Sequence, residues 1–206
     1  MKFSAVLSAL ALVAPGVLAS PTQRDIATIQ GVITDIQAQV NSLQTAIEAT
    51  PLNPDAIVAQ SETLVSTIQD GAATVNSQPV LSQIEALGLV SPVQDLAADV
   101  DTTVQALIGV KDDILALGEG CTTLEALQAQ AAAAQQLSDA IVSKVPAALE
   151  DIATELAATV STAIQNGVDA YAGSCDGTEP TSTTTTSEPT STTTSTTRTA
   201  CPAPTN

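Results

Sequence analysis

The chain of 206 residues carries 22 acidic and only 5 basic side chains, and it contains no histidine and no tryptophan. Without histidine there can be no Ser-His-Asp triad, no Cys-His pair and no histidine-ligated metal. So few basic residues also exclude an electrostatic footprint for nucleic acid or for an acidic membrane. Aromatic residues make up 1% of the sequence, so it has no platform on which sugars or bases could stack.

The first residues in chain order have the pattern of a secretory signal peptide. Lys2 precedes an apolar run that begins at Phe3, and a small-residue cleavage site ends at Ala19. We therefore expect residues 1–19 to be removed and the remaining chain to be secreted. The apolar run is too short, with these flanks, to span a membrane, and we expect no transmembrane segment elsewhere.

The region after the signal peptide, residues 20–175, is expected to form one helical domain. From Ile26 to Ile47, branched apolar residues recur at alternating steps of three and four. This spacing predicts a long first helix with a single apolar seam. Asn53 is a suitable cap for a second helix, and Pro54 is a suitable first residue for it.

Two further helices are predicted before residue 120. A short helix covers about residues 79–87, and a longer one begins at a capping box formed by Ser91 and Gln94. The longer helix is expected to end near Gly118. No stretch alternates polar and apolar residues with a period of two, so no strand is predicted.

The segment between Cys121 and Cys175 contains two helical patterns separated by Pro146. Thr122 and Glu125 form a predicted capping box for the first of these helices. One continuous helix would hold the two cysteines about 80 Å apart, whereas an antiparallel hairpin brings them together. We predict the hairpin, with a disulfide between Cys121 and Cys175, and the alternative is two unpaired buried thiols.

Residues 176–206 consist mostly of Thr, Ser and Pro, a composition that cannot bury a core. We predict a disordered, O-glycosylated tail without a GPI signal, because its end lacks an apolar stretch. Cys201 in this tail is expected either to pair with another chain or to stay unpaired. The candidate O-glycosylation sites are Thr181, Thr183, Thr184, Thr185, Thr186, Thr190, Thr192, Thr193 and Thr194.

These elements predict an all-α fold, a mainly antiparallel up-and-down bundle of five to six helices followed by the disordered tail. The short linkers favour antiparallel neighbours. The core would consist of Leu, Ile, Val and many Ala. Such side chains either let the helices pack tightly or, at the usual spacing of ~8–10 Å, leave an apolar channel suited to an acyl chain. Composition alone favours tight packing.

The acidic residues do not form a recognisable catalytic or metal-binding motif. Asp95, Asp99 and Asp101 cluster, and Asp112 and Asp113 are adjacent, but no calcium-loop spacing is present. A glycosidase would need two carboxylates flanking a cleft, and nothing in the sequence indicates such a pair. We interpret these acids as solvated helix faces and predict no catalytic residue, no metal and no cofactor.

The whole pattern resembles a known fungal family. A signal peptide leads into an aromatic-poor helical domain that includes the segment LSDAIVSKVP ending at Pro146, with a cysteine at each end of the last hairpin and a Ser/Thr-rich tail. This pattern is similar to the hydrophobic surface binding protein A family, which includes the Mp1-type cell-wall galactomannoprotein antigens.

The resemblance implies a non-catalytic protein that is secreted, extracellular or attached to the cell wall. It implies binding to hydrophobic surfaces, with recruitment of a secreted cutinase-type hydrolase, or binding of fatty acids in a central cavity. We expect ligand contacts at inward-facing positions near the middle of the long helices. These candidates are Ile36, Val40, Leu64, Ile68, Val100, Val104, Leu137, Ile141, Leu156 and Val160.

The competing hypotheses are a structural cell-wall mannoprotein that acts through its glycosylated tail, and an acid hydrolase that uses a carboxylate pair. For each candidate position the alternative is an ordinary core residue without ligand contact.

Overall fold

The computed structural model describes residues 22–175, with side chains described from residue 26 onward. The expected signal peptide, residues 1–19, and the expected tail, residues 176–206 with their threonine candidates, lie outside this range. Within it the chain is helical and contains no strand, which confirms the all-α prediction. The elements are α1 (Thr22–Ile47), α2 (Pro54–Asn76), α3 (Gln83–Leu87), α4 (Val90–Gly109), α5 (Lys111–Ala116), α6 (Gly120–Val142), a 3₁₀ turn (Ala147–Leu149) and α7 (Glu150–Ala170).

Two helix starts follow the local chemistry of the sequence. The side chain of Asn53 accepts a hydrogen bond from the Ala56 N–H at 3.3 Å, and Pro54 is the first residue of α2, as predicted. A capping box opens α3, in which Ser82 and Glu85 satisfy each other's backbone N–H groups. Such caps satisfy N–H groups that have no partner within the helix.

Two other predicted starts are wrong by two and three residues. α4 begins at Val90 and α6 at Gly120, and neither has a side-chain cap, so the boxes expected at Ser91 and Thr122 do not form. The predicted fourth helix also divides at Val110 into α4 and α5. A Cβ added to Gly120, the first residue of α6, would clash with a methyl group of Leu115, so this side chain would have to shift if a larger residue stood there.

The five long helices form a ring around one axis. Each packs mainly against two others, in the cyclic order α1, α2, α6, α7, α4 and back to α1. Long helices that follow one another along the chain run in opposite directions, as an up-and-down bundle requires. Among the described helices, none is long and apolar enough to cross a membrane.

The two ends of the ring differ, and we call them the closed end and the open end. At the closed end, a disulfide joins Cys121 at the start of α6 to Cys175 beyond α7, with the Cα atoms 4.5 Å apart. At the open end lie α3 and the 3₁₀ turn. There the backbone N–H of Leu81 donates to the carbonyl of Lys144 at 2.8 Å, and the Lys144 ammonium donates to the carbonyl of Asn76 at 2.9 Å.

The single tyrosine of the sequence fills the closed end. Tyr171 is fully buried, and its hydroxyl donates a hydrogen bond to the carbonyl of Leu107 at 2.9 Å. The ammonium of Lys111 lies 5.9 Å from its ring centre and donates to the carbonyl of Ala170. Burial, with a smaller contribution from the charge of Asp112, raises the pKa of Tyr171 well above its usual value. The phenol therefore remains a neutral donor.

Candidate ligand cavity

An apolar cavity lies on the axis of the helix ring. Its volume is about 110 Å³. A well-packed core contains few voids larger than one water molecule, and a cavity needs only ~10–15 Å³ to hold one. The tight, featureless packing favoured by composition is therefore wrong.

The cavity follows from the number of helices and the size of their side chains. Five helices in a ring leave a wider central gap than four, and the residues facing it are mostly Ala, Val, Leu and Ile. The one aromatic side chain in the described range, Tyr171, lies at the closed end and does not line the cavity. Ala134 and Ala157, on facing sides of neighbouring helices, are too short to reach across.

All ten positions predicted as ligand contacts line this cavity. They come from all five long helices: Ile36, Val40, Leu64, Ile68, Val100, Val104, Leu137, Ile141, Leu156 and Val160. The structure thus brings these side chains together around one space, while their contact with a ligand stays a prediction. The apolar periodicity was the signal that identified them, because it places each on the inner face of its helix.

Sequence reasoning missed the two ends of the cavity. On the α1 seam, Ile33 extends the wall toward the open end and Leu43 extends it toward the closed end, and Val93 and Leu149 line the open end. It also missed Gln130, which is buried on the inner face of α6, where the apolar pattern seemed to continue through Ala131. Gln130 lies three positions after the core residue Leu127, which is a helical spacing and could have identified it. The neighbouring Ala131 fits the same apolar pattern, so the inward position was assigned to the alanine.

The first half of α7 forms the least packed wall. The buried residues of this helix are Ala163, Ile164 and Gly167, all in its second half. In the first half, Leu156 and Val160 face inward but remain only partly buried, because the cavity lies on that side. This half of α7 therefore has apolar surface that a ligand could cover.

The lining carries three polar side chains and no charged one. Thr103 donates its hydroxyl hydrogen to the carbonyl of Asp99 at 2.8 Å, whereas Gln130 and Ser138 on α6 make no hydrogen bond within the described range. The other lining residues are apolar. An apolar wall with a few polar groups is typical of small-molecule binding sites.

The cavity opens at the end occupied by α3 and the start of α7. Leu87 and Ile152 line it although they are 54% and 43% exposed. Val80 and Ile84, 64% and 84% exposed, lie just before α3 and within it. We call these four residues the mouth patch. Large apolar side chains are usually not grouped on the surface of a monomer unless they contact something.

The acidic residues discussed above lie outside this cavity. Asp95, Asp101, Asp112 and Asp113 are exposed, and a carboxylate oxygen of Asp99 accepts a hydrogen bond from the Gln37 amide at 3.3 Å. Within the described range, no group of three acidic or cysteine side chains is placed to hold a metal ion. Their positions agree with solvated helix faces.

Comparison with known sequences identifies the family. The profile of the family described as "Hydrophobic surface binding protein A" matches residues 26–143. The chain is also 46% identical, over 174 residues covering 83% of its length, to Cell wall mannoprotein 1 of Aspergillus fumigatus. The chain belongs to the hydrophobic surface binding protein A family. This member spans about 60% of the length of that relative.

Two solved domains of one other protein have the same fold as this chain. Ligand binding domain 1 of the Penicillium marneffei MP1 protein, complexed with arachidonic acids, is 32% identical with a TM-score of 0.70, covering 72% of this chain and 99% of that one. Domain 2 of the same protein, also in complex with arachidonic acids, is 36% identical with a TM-score of 0.69, covering 73% and 96%. Both solved domains are described as ligand binding domains.

The family match ends one residue after α6, so α7 lies beyond it. In this family member, α7 nevertheless supplies one complete wall of the cavity, from Ile152 to Ile164. The disulfide between Cys121 and Cys175 spans the same boundary. The cavity is therefore built from more of the chain than the matched region.

Proposed function

We propose that this chain binds long-chain fatty acids in the cavity of its helix ring. The observation that carries the proposal is the apolar, uncharged cavity enclosed by all five long helices. Two similar domains, at 32% and 36% identity, were solved with arachidonic acids, which supports the same ligand class. The ten predicted lining positions would contact the acyl chain, and burial of that chain would supply most of the affinity.

The proposal is tested by native mass spectrometry of the secreted, deglycosylated protein. We expect additional mass that corresponds to fatty acid, either after secretion or after incubation with a long-chain acid, and its loss on denaturation. A protein that keeps its unliganded mass after such incubation would contradict the proposal. The experiment needs no variant, so it does not depend on which residues contact the ligand.

We propose a secreted location, in the medium or the cell wall. The signal-peptide pattern of residues 1–19 and the name of the relative, Cell wall mannoprotein 1, both support it. We also infer that the chain acts by binding and not by catalysis, since its cavity carries no ionisable side chain in the described range that could transfer a proton. The alternative function, a structural cell-wall mannoprotein, would rest on the glycosylated tail and not on the cavity.

A second candidate function is adsorption to hydrophobic surfaces, and the mouth patch favours it. Ile84 is 84% exposed and is the most accessible member of this patch. We expect Ile84→Ser to weaken adsorption to polyester particles several-fold, because adsorption depends on the apolar area removed from water. Ser66→Thr, an exchange on the distant helix α2, is the control. Equal adsorption of the wild type and Ile84→Ser would show that another surface adsorbs.

Recruitment of a secreted cutinase-type hydrolase to such a surface stays a prediction from the family resemblance. It would appear as co-sedimentation of the hydrolase with particles coated by this protein and not with bare particles.

A further inference from the structure

Gln130 is an unusual residue in the wall of this cavity. Its side chain is 7% exposed, and the described part of the chain offers its amide no hydrogen-bond partner. In the same part, no fully enclosed side-chain nitrogen or oxygen lacks a partner. The amide of Gln130 therefore keeps some accessible surface, and the residue lines the cavity.

A polar group at this position would not help to bind a plain hydrocarbon. A buried amide without a partner is unfavourable, and a leucine would pack better against an acyl chain. The neighbouring inward positions on α6, Ala134 and Leu137, are apolar. The amide of Gln130 is satisfied only if the polar part of a ligand, or water, reaches it.

The charge of the lining restricts the form of that polar part. From α1, α2, α3, α4, α6, α7 and the segment between α6 and α7, no Asp, Glu, Lys, Arg, Tyr or Cys lines the cavity in the described range. An ionised carboxylate would lie there without a counter-charge, which is strongly unfavourable in an apolar site. A protonated carboxyl group fits, because its O–H can donate to the amide oxygen while the amide N–H donates to its carbonyl.

The position of Gln130 along α6 agrees with a ligand that spans the cavity. Gln130 lies twelve residues before Val142, which lines the open end, so the two are roughly 18 Å apart along the helix. This distance is comparable to the length of an extended long-chain fatty acid. The hydroxyl of Thr103 already donates to a backbone carbonyl, and Ser138 lies two turns closer to the open end.

We propose that Gln130 binds the carboxyl group of the fatty acid, which enters head first and occupies the cavity in its protonated form. This inference rests on the proposed fatty-acid function. It adds the orientation of the ligand, its protonation state and a residue that determines specificity for the head group.

The orientation is tested with Gln130→Leu and with Gln128→Leu, the same exchange at an exposed position of the same helix. Affinity for a long-chain fatty acid, at concentrations where the acid is monomeric, is measured by displacement of a fluorescent probe. We expect Gln130→Leu to weaken binding at least about tenfold, the usual order for a buried hydrogen-bonding group, while Gln128→Leu binds as the wild type. Because Gln130→Leu removes an unpartnered buried amide, the variant should fold at least as stably.

Other outcomes would overturn the orientation. If the acyl tail lies at Gln130, the leucine variant will bind the acid more tightly than the wild type. If the carboxyl group lies near the open end, Ser138→Ala will weaken binding and Gln130→Leu will not. Failure of the wild type to bind any acid would instead contradict the proposed function.

The protonation state is tested by the pH dependence of affinity, with the methyl ester of the same acid as the control ligand. Above the ordinary pKa of a carboxyl group, about 4.3, the affinity for the acid should fall tenfold per pH unit, because only the protonated fraction binds. The affinity for the ester should stay constant, and each bound acid should take up one proton from solution. Equal pH profiles for acid and ester, or no proton uptake, would overturn binding of the protonated form.

Discussion

The double variant Ala153→Phe/Ala157→Phe is expected to lose fatty-acid binding while it keeps the helical fold. Both alanines lie on α7 at a spacing of four, so both project into the same part of the cavity. Two phenyl groups would occupy the space that the acyl chain needs. We expect affinity to fall by at least about 100-fold, equivalent to ~2.7 kcal/mol of binding free energy, in the probe-displacement assay.

The folded state should tolerate this change. Both alanines are only partly buried, and they face open space and not a packed neighbour. Filling a cavity commonly leaves stability unchanged or raises it, whereas overpacking a dense core costs about 1–3 kcal/mol. Urea denaturation of the unliganded proteins distinguishes these cases. A large loss of stability would mean that the space at α7 is already filled.

The matched control places the same aromatic residues on the outer face of the same helix. Thr154 and Ala158 are both exposed, and neither lines the central cavity. Thr154→Phe/Ala158→Phe should therefore bind fatty acid like the wild type. If both double variants lose binding equally, the loss is a general result of placing aromatic residues on α7 and not of filling the cavity. If the cavity variant binds normally, the ligand lies elsewhere and the proposed function of the cavity is wrong.

The sequence predicts which side chains face the axis, but not how the helices are arranged around it. The seam of α1 and the apolar faces of the other long helices are local patterns with a helical period, so ten cavity-lining residues could be chosen from them. The contact between α2 and α6 joins segments far apart in the chain, and no local pattern encodes it. That contact closes the ring and leaves its centre open, which is why composition alone favoured the wrong packing.

Helix ends show the same limit at a smaller scale. Asn53 caps α2 as predicted, and its side chain accepts a hydrogen bond from the Ala56 N–H. Thr122 does not cap α6, which begins at Gly120 without a side-chain cap. A capping residue in the sequence therefore predicts that a helix starts nearby more surely than it predicts the first residue.

Removal of the disulfide with Cys121→Ala/Cys175→Ala is expected to lower the free energy of unfolding by ~4 kcal/mol. The two cysteines are separated by 54 residues, and in the chain-entropy model a cross-link over such a loop restricts the unfolded state by about that amount. A change of this size is a large part of the total free energy of unfolding of a domain. Urea denaturation measures the change, with the environment of the single tyrosine, Tyr171, as a probe at the closed end.

The protein to measure is the triple variant Cys121→Ala/Cys175→Ala/Cys201→Ala, in which no thiol remains that could form other disulfides. Its reference is the single variant Cys201→Ala. We expect Cys201→Ala alone to unfold like the wild type. A loss below about 1 kcal/mol in the triple variant, within the usual range of one ordinary hydrogen bond, would show that packing around Tyr171 holds the closed end without the covalent link.

The disulfide should also affect ligand binding, because of how α7 is attached. Its buried residues lie in the half next to the closed end, whereas its first half, which supplies most of the α7 wall of the cavity, has none. The closed end therefore anchors a helix whose other half carries partly buried apolar side chains that the proposed ligand would cover. Loosening that anchor should raise local opening of α7. Fatty acid should then restore part of the lost stability, since it binds only the folded ring. Hydrogen exchange of α7, with and without ligand, would show whether the two ends of this helix are coupled in this way.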